Sequence, residues 1–181
     1  MKIGIIREGK KPSDRRVPLS PKQCLDLKKM YPQISLVVQP SSIRCFSDQE
    51  YIDNGLVLQE DLSDCDLIMG IKEVPIDFLI PKKKFLFFSH TIKKQPYNQN
   101  LLKEIIRKKI DLIDYEVLKN IKGERVIGFG RYAGIIGAYN SLRSYGLKSA
   151  MYDIAPAYKC HNKEQMESEL QKIKLTNEKI V

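Results

Sequence analysis

The sequence predicts an α/β fold, a parallel sheet with helices on both faces followed by a helix that leaves the lobe. Three observations carry that expectation. Short β-branched runs alternate with segments of helical periodicity, the pattern of parallel strands joined by crossover helices. Two helical segments open on capping boxes, Ser20-Pro21-Lys22-Gln23 and Ser47-Asp48-Gln49-Glu50, in which two residues three apart satisfy each other's free backbone N–H groups. A chain of 181 residues with 43% hydrophobic composition can bury one sizeable core, or one domain and part of another.

Taken in order, residues 2–6 read as the first strand. Ser20 caps a helix with proline at its first position, running toward Tyr31 and stopped by Pro32. Residues 34–38 form the second strand, and the Ser47 box starts a short helix that Asn54-Gly55 ends. Residues 65–71 and 84–89 are the third and fourth strands. Pro96 opens a helix whose Leu101, Leu102, Ile105 and Ile106 share one face, and residues 110–115 are the fifth strand. From Arg125 the character changes. An Ala- and Gly-rich helix is expected from about Tyr132 to Gly146, then a polar connection around Pro156 and a charged helix from about Asn162 to Lys172. Lys179-Ile180-Val181 looks like the beginning of a buried strand. The expected organisation is a lobe over residues 1–130 and an interdomain helix with its connection over 131–181.

Composition excludes several classes. The formal charge of +9 invites a nucleic-acid reading, yet the basic clusters Lys82-Lys83-Lys84 and Arg107-Lys108-Lys109 sit at a strand start and a helix end, where such charge is commonplace. No finger, RNP-type or basic heptad pattern accompanies them, so no nucleic-acid partner is expected. No apolar run approaches the roughly 20 residues of a membrane span, and a cytoplasmic protein is expected. Cys24, Cys45, Cys65 and Cys160 have no C-x-x-C spacing, which supports neither a metal site nor a redox motif. They read as reduced thiols in or near the core. A homo-oligomer is compatible with all of this.

Chemistry is concentrated in Gly70-Ile71-Lys72-Glu73-Val74-Pro75 and Phe87-Phe88-Ser89-His90-Thr91-Ile92-Lys93. These put two lysines and one of two histidines at the ends of neighbouring strands, where loops of an α/β sheet converge over a crevice. Fixed positive charge beside a group that titrates near neutrality suits a substrate carrying carboxylates and a carbonyl. Further on, Gly128-Phe129-Gly130-Arg131-Tyr132-Ala133 fits the G-x-G-x-x-G/A dinucleotide pattern, with Asp153 about 20 residues beyond. Against it, the preceding run is only Val126-Ile127, and Gly134, Gly137 and Ala138 are equally explained by close helix packing. On these residues alone the two readings stand level.

Several separate blocks resemble one family. Residues 7–21, Arg7-Glu8-Gly9-Lys10-Lys11-Pro12-Ser13-Asp14-Arg15-Arg16-Val17-Pro18-Leu19-Ser20-Pro21, look like the N-terminal motif of the alanine dehydrogenase, transhydrogenase and saccharopine dehydrogenase superfamily. The blocks at 70–75, 88–93, Leu112-Ile113-Asp114-Tyr115-Glu116 and 125–134 are more similar to its saccharopine dehydrogenase and lysine-ketoglutarate reductase branch. The resemblance covers roughly residues 2–146. It implies a Rossmann-like substrate lobe of an NAD(P)-dependent amino-acid dehydrogenase, with an amino acid or 2-oxo acid as small-molecule partner. The cofactor, NAD or NADP, is then bound mainly by a later domain, and the glycines at 128–137 belong to an interdomain helix. An alanine dehydrogenase-like activity and a non-catalytic amino-acid or 2-oxo-acid binding module are the alternatives.

Carried over by motif, Lys72 and His90 match the family's acid/base pair. Arg16 and Lys93 match positions around the substrate carboxylates and the charge balance, and Glu116 matches an acidic partner at the following strand end. No cofactor-binding or metal-binding residue is assigned. Apart from the resemblance, Lys72 reads as an exposed strand-end lysine and His90 as a hydrogen-bonded structural histidine. His161 falls outside the matching blocks and reads as a surface residue.

Overall fold

The computed structural model describes residues 1–173, so the strand expected from Lys179 lies outside the described residues. The chain divides into two compact units that meet at Gly128 and Phe129. The first holds a six-stranded sheet made of β1 (Lys2–Ile5), β2 (Ser35–Val38), β3 (Val57–Leu58), β4 (Leu67–Met69), β5 (Lys84–Phe87) and β6 (Asp111–Asp114). Their order is β3-β2-β1-β4-β5-β6, and every neighbouring pair is parallel. Five strands are those the apolar runs predict, trimmed at their ends. The sixth, β3, was not expected, because a two-residue edge strand is too short to show any periodicity.

Both capping boxes form. Ser20 Oγ accepts from the Gln23 N–H at 3.3 Å while Gln23 Oε1 accepts from the Ser20 N–H at 2.8 Å, and this starts α1 (Pro21–Met30). Ser47 and Glu50 do the same at 3.2 and 2.6 Å to start α2 (Asp48–Asp53). A single 3-10 turn at Pro96–Asn98 leads into α3 (Gln99–Arg107).

Strand alternation decides which helix covers which face. Ile3, Ile5, Leu36 and Val38 point to one side, where they pack with Cys24 of α1 and Tyr51 of α2. Val37, Ile68, Phe85 and Phe87 point to the other, against Leu101 and Ile105 of α3. Side chains of this kind stabilise by about 1.5–3 kcal/mol each when fully buried, which makes the sheet interior the stable frame of the unit. Gly4 lies on the second face. A β-carbon there would stand 2.9 Å from Cys65 Sγ, so only glycine lets the central strand approach that loop.

The second unit contains α4 (Gly130–Ser149) and α5 (Lys163–Glu169). Tyr139, Ile154 and Met166 form its small core, and Tyr139 Oη donates to the Ala155 carbonyl at 2.6 Å. α4 extends past the expected 132–146 at both ends and closes on Ala150 in the left-handed region, φ 54°. Close packing is found instead at Gly146, for which it was not expected, where a β-carbon would collide with the Tyr152 ring and carbonyl. The expectation had been made for Gly134, Gly137 and Ala138, and at the two glycines it fails, since no described heavy atom lies within 4 Å of the β-carbon position. Among the described residues no helix is long and apolar enough to cross a membrane.

Candidate functional site

The carboxyl ends of β1, β4, β5 and β6 lie side by side, and the loops leaving them carry the residues that the motifs single out. This is the edge where open parallel sheets bind ligands, and the order reverses direction between β1 and β4.

The loop after β1 supplies Glu8, Asp14 and Arg16. The Glu8 carboxylate reaches across to the end of β4 and accepts from the Ile71 N–H at 2.7 Å and the Lys72 N–H at 3.0 Å. Gly70 makes room for it, because a β-carbon there would stand 3.0 Å from Ile6 and 3.4 Å from Glu8 Oε1. Burial pushes the Glu8 carboxyl above its ordinary value in spite of those two donors. Arg16 is held by Asp14, whose carboxylate accepts from Nε at 2.9 and 3.2 Å and from Nη2 at 2.5 Å. That guanidinium holds the Asp14 carboxyl below its ordinary range, and the charge of Lys72 adds to the effect. Arg16 therefore stands ready as a fork, but its Asp14 partner shares it.

From the end of β4, Lys72 is half-buried. Glu73 turns inward, 9% exposed, with Oε2 2.6 Å from Lys10 Nζ. Burial pushes Glu73 up, but the hydrogen bond from Lys10, its own backbone N–H and the charges of Lys10 and His90 together hold it below its ordinary value.

Beyond β5, His90 takes the left-handed conformation, φ 56°, as does Lys94, φ 53°, on either side of a 3-10 turn at Thr91–Lys93. A β-carbon makes that region costly, on the order of 1–2 kcal/mol per residue, so the fold holds His90 there against its own preference. Glu116, just past β6, has a side chain 9% exposed and gathers two cations and a histidine around it. Lys93 Nζ is 3.1 Å from its Oε1, Arg125 Nη1 4.0 Å from the same oxygen, and His90 Nδ1 3.8 Å from Oε2. Among the described residues neither His90 Nδ1 nor Glu116 Oε2 has a hydrogen-bond partner. Aromatic rings wall the site: Phe88 stacks edge-on to His90 at 6.1 Å, packs on Tyr115 at 4.9 Å, and has Arg125 5.9 Å above its ring. Burial, reinforced by the nearby Glu8 charge, pushes the Tyr115 phenol up to about 12.

The structure thus brings His90, Lys93 and Glu116 into contact, and groups Arg16 and Lys72 around Glu8 and Asp14 on the adjacent loops. Sequence reasoning gave no role to Glu8, Asp14, Lys10, Asp114 or Arg125. Asp114 carried a readable signal, an acid on the same strand face as the core residue Leu112. His161 is exposed in the second unit. Two of the free cysteines, Cys24 and Cys65, are buried, with burial pushing each thiol up to about 11, whereas Cys45 is exposed.

Among the described residues the glycine pattern at 128–133 is not preceded by a strand of the sheet. Arg125 makes only an isolated antiparallel bridge to Lys119, and the Val126 N–H returns to the Leu118 carbonyl at 3.1 Å. A nucleotide site needs a sheet strand feeding the glycine turn so that the helix N-terminus is aimed at the pyrophosphate.

Comparisons with known proteins agree on the family. The model of the alanine dehydrogenase/PNT N-terminal domain matches residues 4–136. The mitochondrial alpha-aminoadipic semialdehyde synthase of Mus musculus is 42% identical over 146 residues, covering 81% of this chain and 16% of that protein. The NAD(+), L-lysine-forming saccharopine dehydrogenase of Yarrowia lipolytica is 28% identical over 153 residues, covering 82% of this chain and 41% of that protein. The chain therefore spans less than half the length of either relative. Among solved structures, an L-alanine dehydrogenase superposes with TM-score 0.55 at 19% identity over 68% of this chain and 35% of its own, which shows the shared fold.

Proposed function

Because the chain belongs to the alanine dehydrogenase/PNT N-terminal domain family, we propose that it is the substrate lobe of an NAD(P)-dependent amino-acid dehydrogenase acting on CH–NH donors, of saccharopine dehydrogenase or lysine-ketoglutarate reductase type. The observation that carries this reading is the buried Glu116 surrounded by His90, Lys93 and Arg125 at the carboxyl edge of a parallel sheet. In such a cluster one carboxylate offsets part of the positive charge, and the remaining cations still offer donors to a 2-oxo acid. In this reading Arg16 and Lys93 hold substrate carboxylates, with Arg16 exchanging part of its bond to Asp14 for the ligand. His90 and Lys72 move protons at the oxygen and nitrogen of the reacting carbon, and Glu116 balances the charge. Arg125 joins the carboxylate-binding set. NAD or NADP is held by a further domain and supplies the hydride acceptor or donor.

The 42% identity to an aminoadipic semialdehyde synthase favours the lysine and saccharopine branch over alanine and pyruvate. A binding module without redox chemistry is the second reading, and the misfit of the 128–133 glycines favours it for this chain taken alone. Titrating the 181-residue chain with 2-oxoglutarate, saccharopine, L-lysine and pyruvate, followed by NMR, tests the site. The expected result is saturable shifts at His90, Lys93, Glu116 and the 70–73 loop with 2-oxoglutarate or saccharopine, lost in His90→Gln with Lys93→Met. Shifts confined to other surfaces would remove the assignment. A parallel titration with NADH is expected to show no saturable binding, and tight binding abolished by Gly130→Val would restore the rejected motif.

A further inference from the structure

We propose that Asp114 is a positioning residue of this site, a clamp that holds His90 and Glu116 opposite each other, and the proposal rests on the reading of His90 as an acid/base group. Asp114 ends β6 and is 6% exposed. Its Oδ2 accepts the Ser89 N–H at 3.2 Å and also the Ser89 hydroxyl in a short bond, while Oδ1 accepts the Glu116 N–H at 2.8 Å. Ser89 Oγ in turn accepts the Thr91 N–H at 3.1 Å and lies 2.7 Å from Thr91 Oγ1. One carboxylate thereby fixes the residue before His90, the residue after it and the backbone of Glu116.

The chemistry explains why a carboxylate is there. Among the described residues no cation pairs with Asp114, so its charge is offset by neutral donors alone, an expensive arrangement for a buried group unless every acceptor site is used. Only a carboxylate presents two acceptor oxygens to two strand ends at once. An asparagine would face one end with N–H donors and release either the Ser89 or the Glu116 amide. The neighbouring left-handed His90 shows what the clamp resists: Ser89 before it is bonded to Asp114 directly, and Thr91 after it is tied in through the Ser89 hydroxyl. The clamp leaves Nδ1 of His90 3.8 Å from Glu116 Oε2, one small movement from a hydrogen bond. A carboxylate at that position favours the proton on Nδ1 and leaves the Nε2 lone pair for chemistry. Lys93, Arg125 and Glu73 are the other charged groups bearing on this pair.

The ring nitrogens of His90 report the clamp directly, and exposed His161 serves as the internal reference. In the neutral imidazole, the two ¹⁵N shifts of His90 are expected to be well separated in the native chain. Asp114→Asn should move them toward each other, by as much as Glu116→Gln does, and the double variant should add nothing further. His161 and the backbone amides of the core strands should stay in place. A folded Asp114→Asn chain with unchanged His90 signals, or a double variant whose effects simply add, would overturn the proposal. Should Asp114→Asn not fold, Ser89→Ala decides: convergence of the two His90 shifts supports the clamp, and unchanged shifts refute it. The readout needs neither ligand nor turnover, so failure of the 2-oxoglutarate titration with a responsive His90 would count against the function and leave the clamp standing.

Discussion

Glu116 is one carboxylate facing Lys93, Arg125 and His90, so removing its charge should unbalance the site in a definite direction. Glu116→Gln is expected to bind 2-oxoglutarate roughly fivefold more tightly, a Coulomb effect of about 1 kcal/mol in a partly solvated site, and to bind L-lysine more weakly. Calorimetry with both ligands checks the opposed signs, and a uniform loss of both would contradict them. Asp14 allows a second expectation. Its carboxyl is held low chiefly by the Arg16 hydrogen bonds, so the folded state holds the proton less tightly than the unfolded chain does. The stability it contributes is complete above the ordinary carboxyl value of 3.8 and is lost as pH falls through the lower folded value. Asp14→Asn should therefore be less stable than the native chain near neutrality, with the gap closing as the pH drops below about 4 in urea melts. Glu8 has the opposite sign, since burial raises it and its contribution declines as pH rises from 4.5 through the folded value. Lys72, His90, Lys93, Arg16 and Glu116 could be singled out from the sequence because the motif resemblance gave each a role, and the structure brings His90, Lys93 and Glu116 together. Glu8 could not, because an acid whose partners are backbone amides at a distant strand end leaves no trace in local spacing.

At the scale of elements, serine and glutamine or glutamate three apart announced α1 and α2, and both boxes close as expected, because capping is local chemistry that tertiary packing does not override. The glycines of α4 were harder, since the same residue serves three ends. Gly146 is there for space and Gly134 faces none of the described atoms, a distinction that depends on Tyr152 folding back onto the helix. The two positions should accordingly respond in opposite ways to alanine. Gly134→Ala is expected to stabilise the second unit by up to about 1 kcal/mol through helix propensity alone. Gly146→Ala should destabilise it by 1–3 kcal/mol, roughly the cost of overpacking. Thermal melts of both variants test the pair, and a loss of stability in Gly134→Ala would reveal a partner for that face.

For the molecule as a whole, the two cores of the first unit draw only on residues up to Leu112, and that of the second only on residues from Ile135 onward. A chain of residues 1–128 is thus expected to fold alone, its backbone NMR signals overlaying those of the same residues in the full chain. Collapse of that fragment to a molten state would show that the second unit supplies stability the cores do not reveal. The α/β class and the parallel sheet were legible because period-2 apolar runs and helical faces alternate along the chain. The pairing order was not, since nothing local in an apolar strand says which neighbour it will take. That order has a consequence for how the protein can be made. β1, the earliest of the six strands in the chain, becomes a central strand; β2 and then β3 extend one edge, and β4, β5 and β6 extend the other. Every strand joins a free border of what already exists, and none has to be inserted between two partners. Synthesis can therefore proceed by accretion, with no opening of finished pairs, and the Asp114 and Glu116 end of β6, laid down last of the six strands, comes into place only when the sheet is complete.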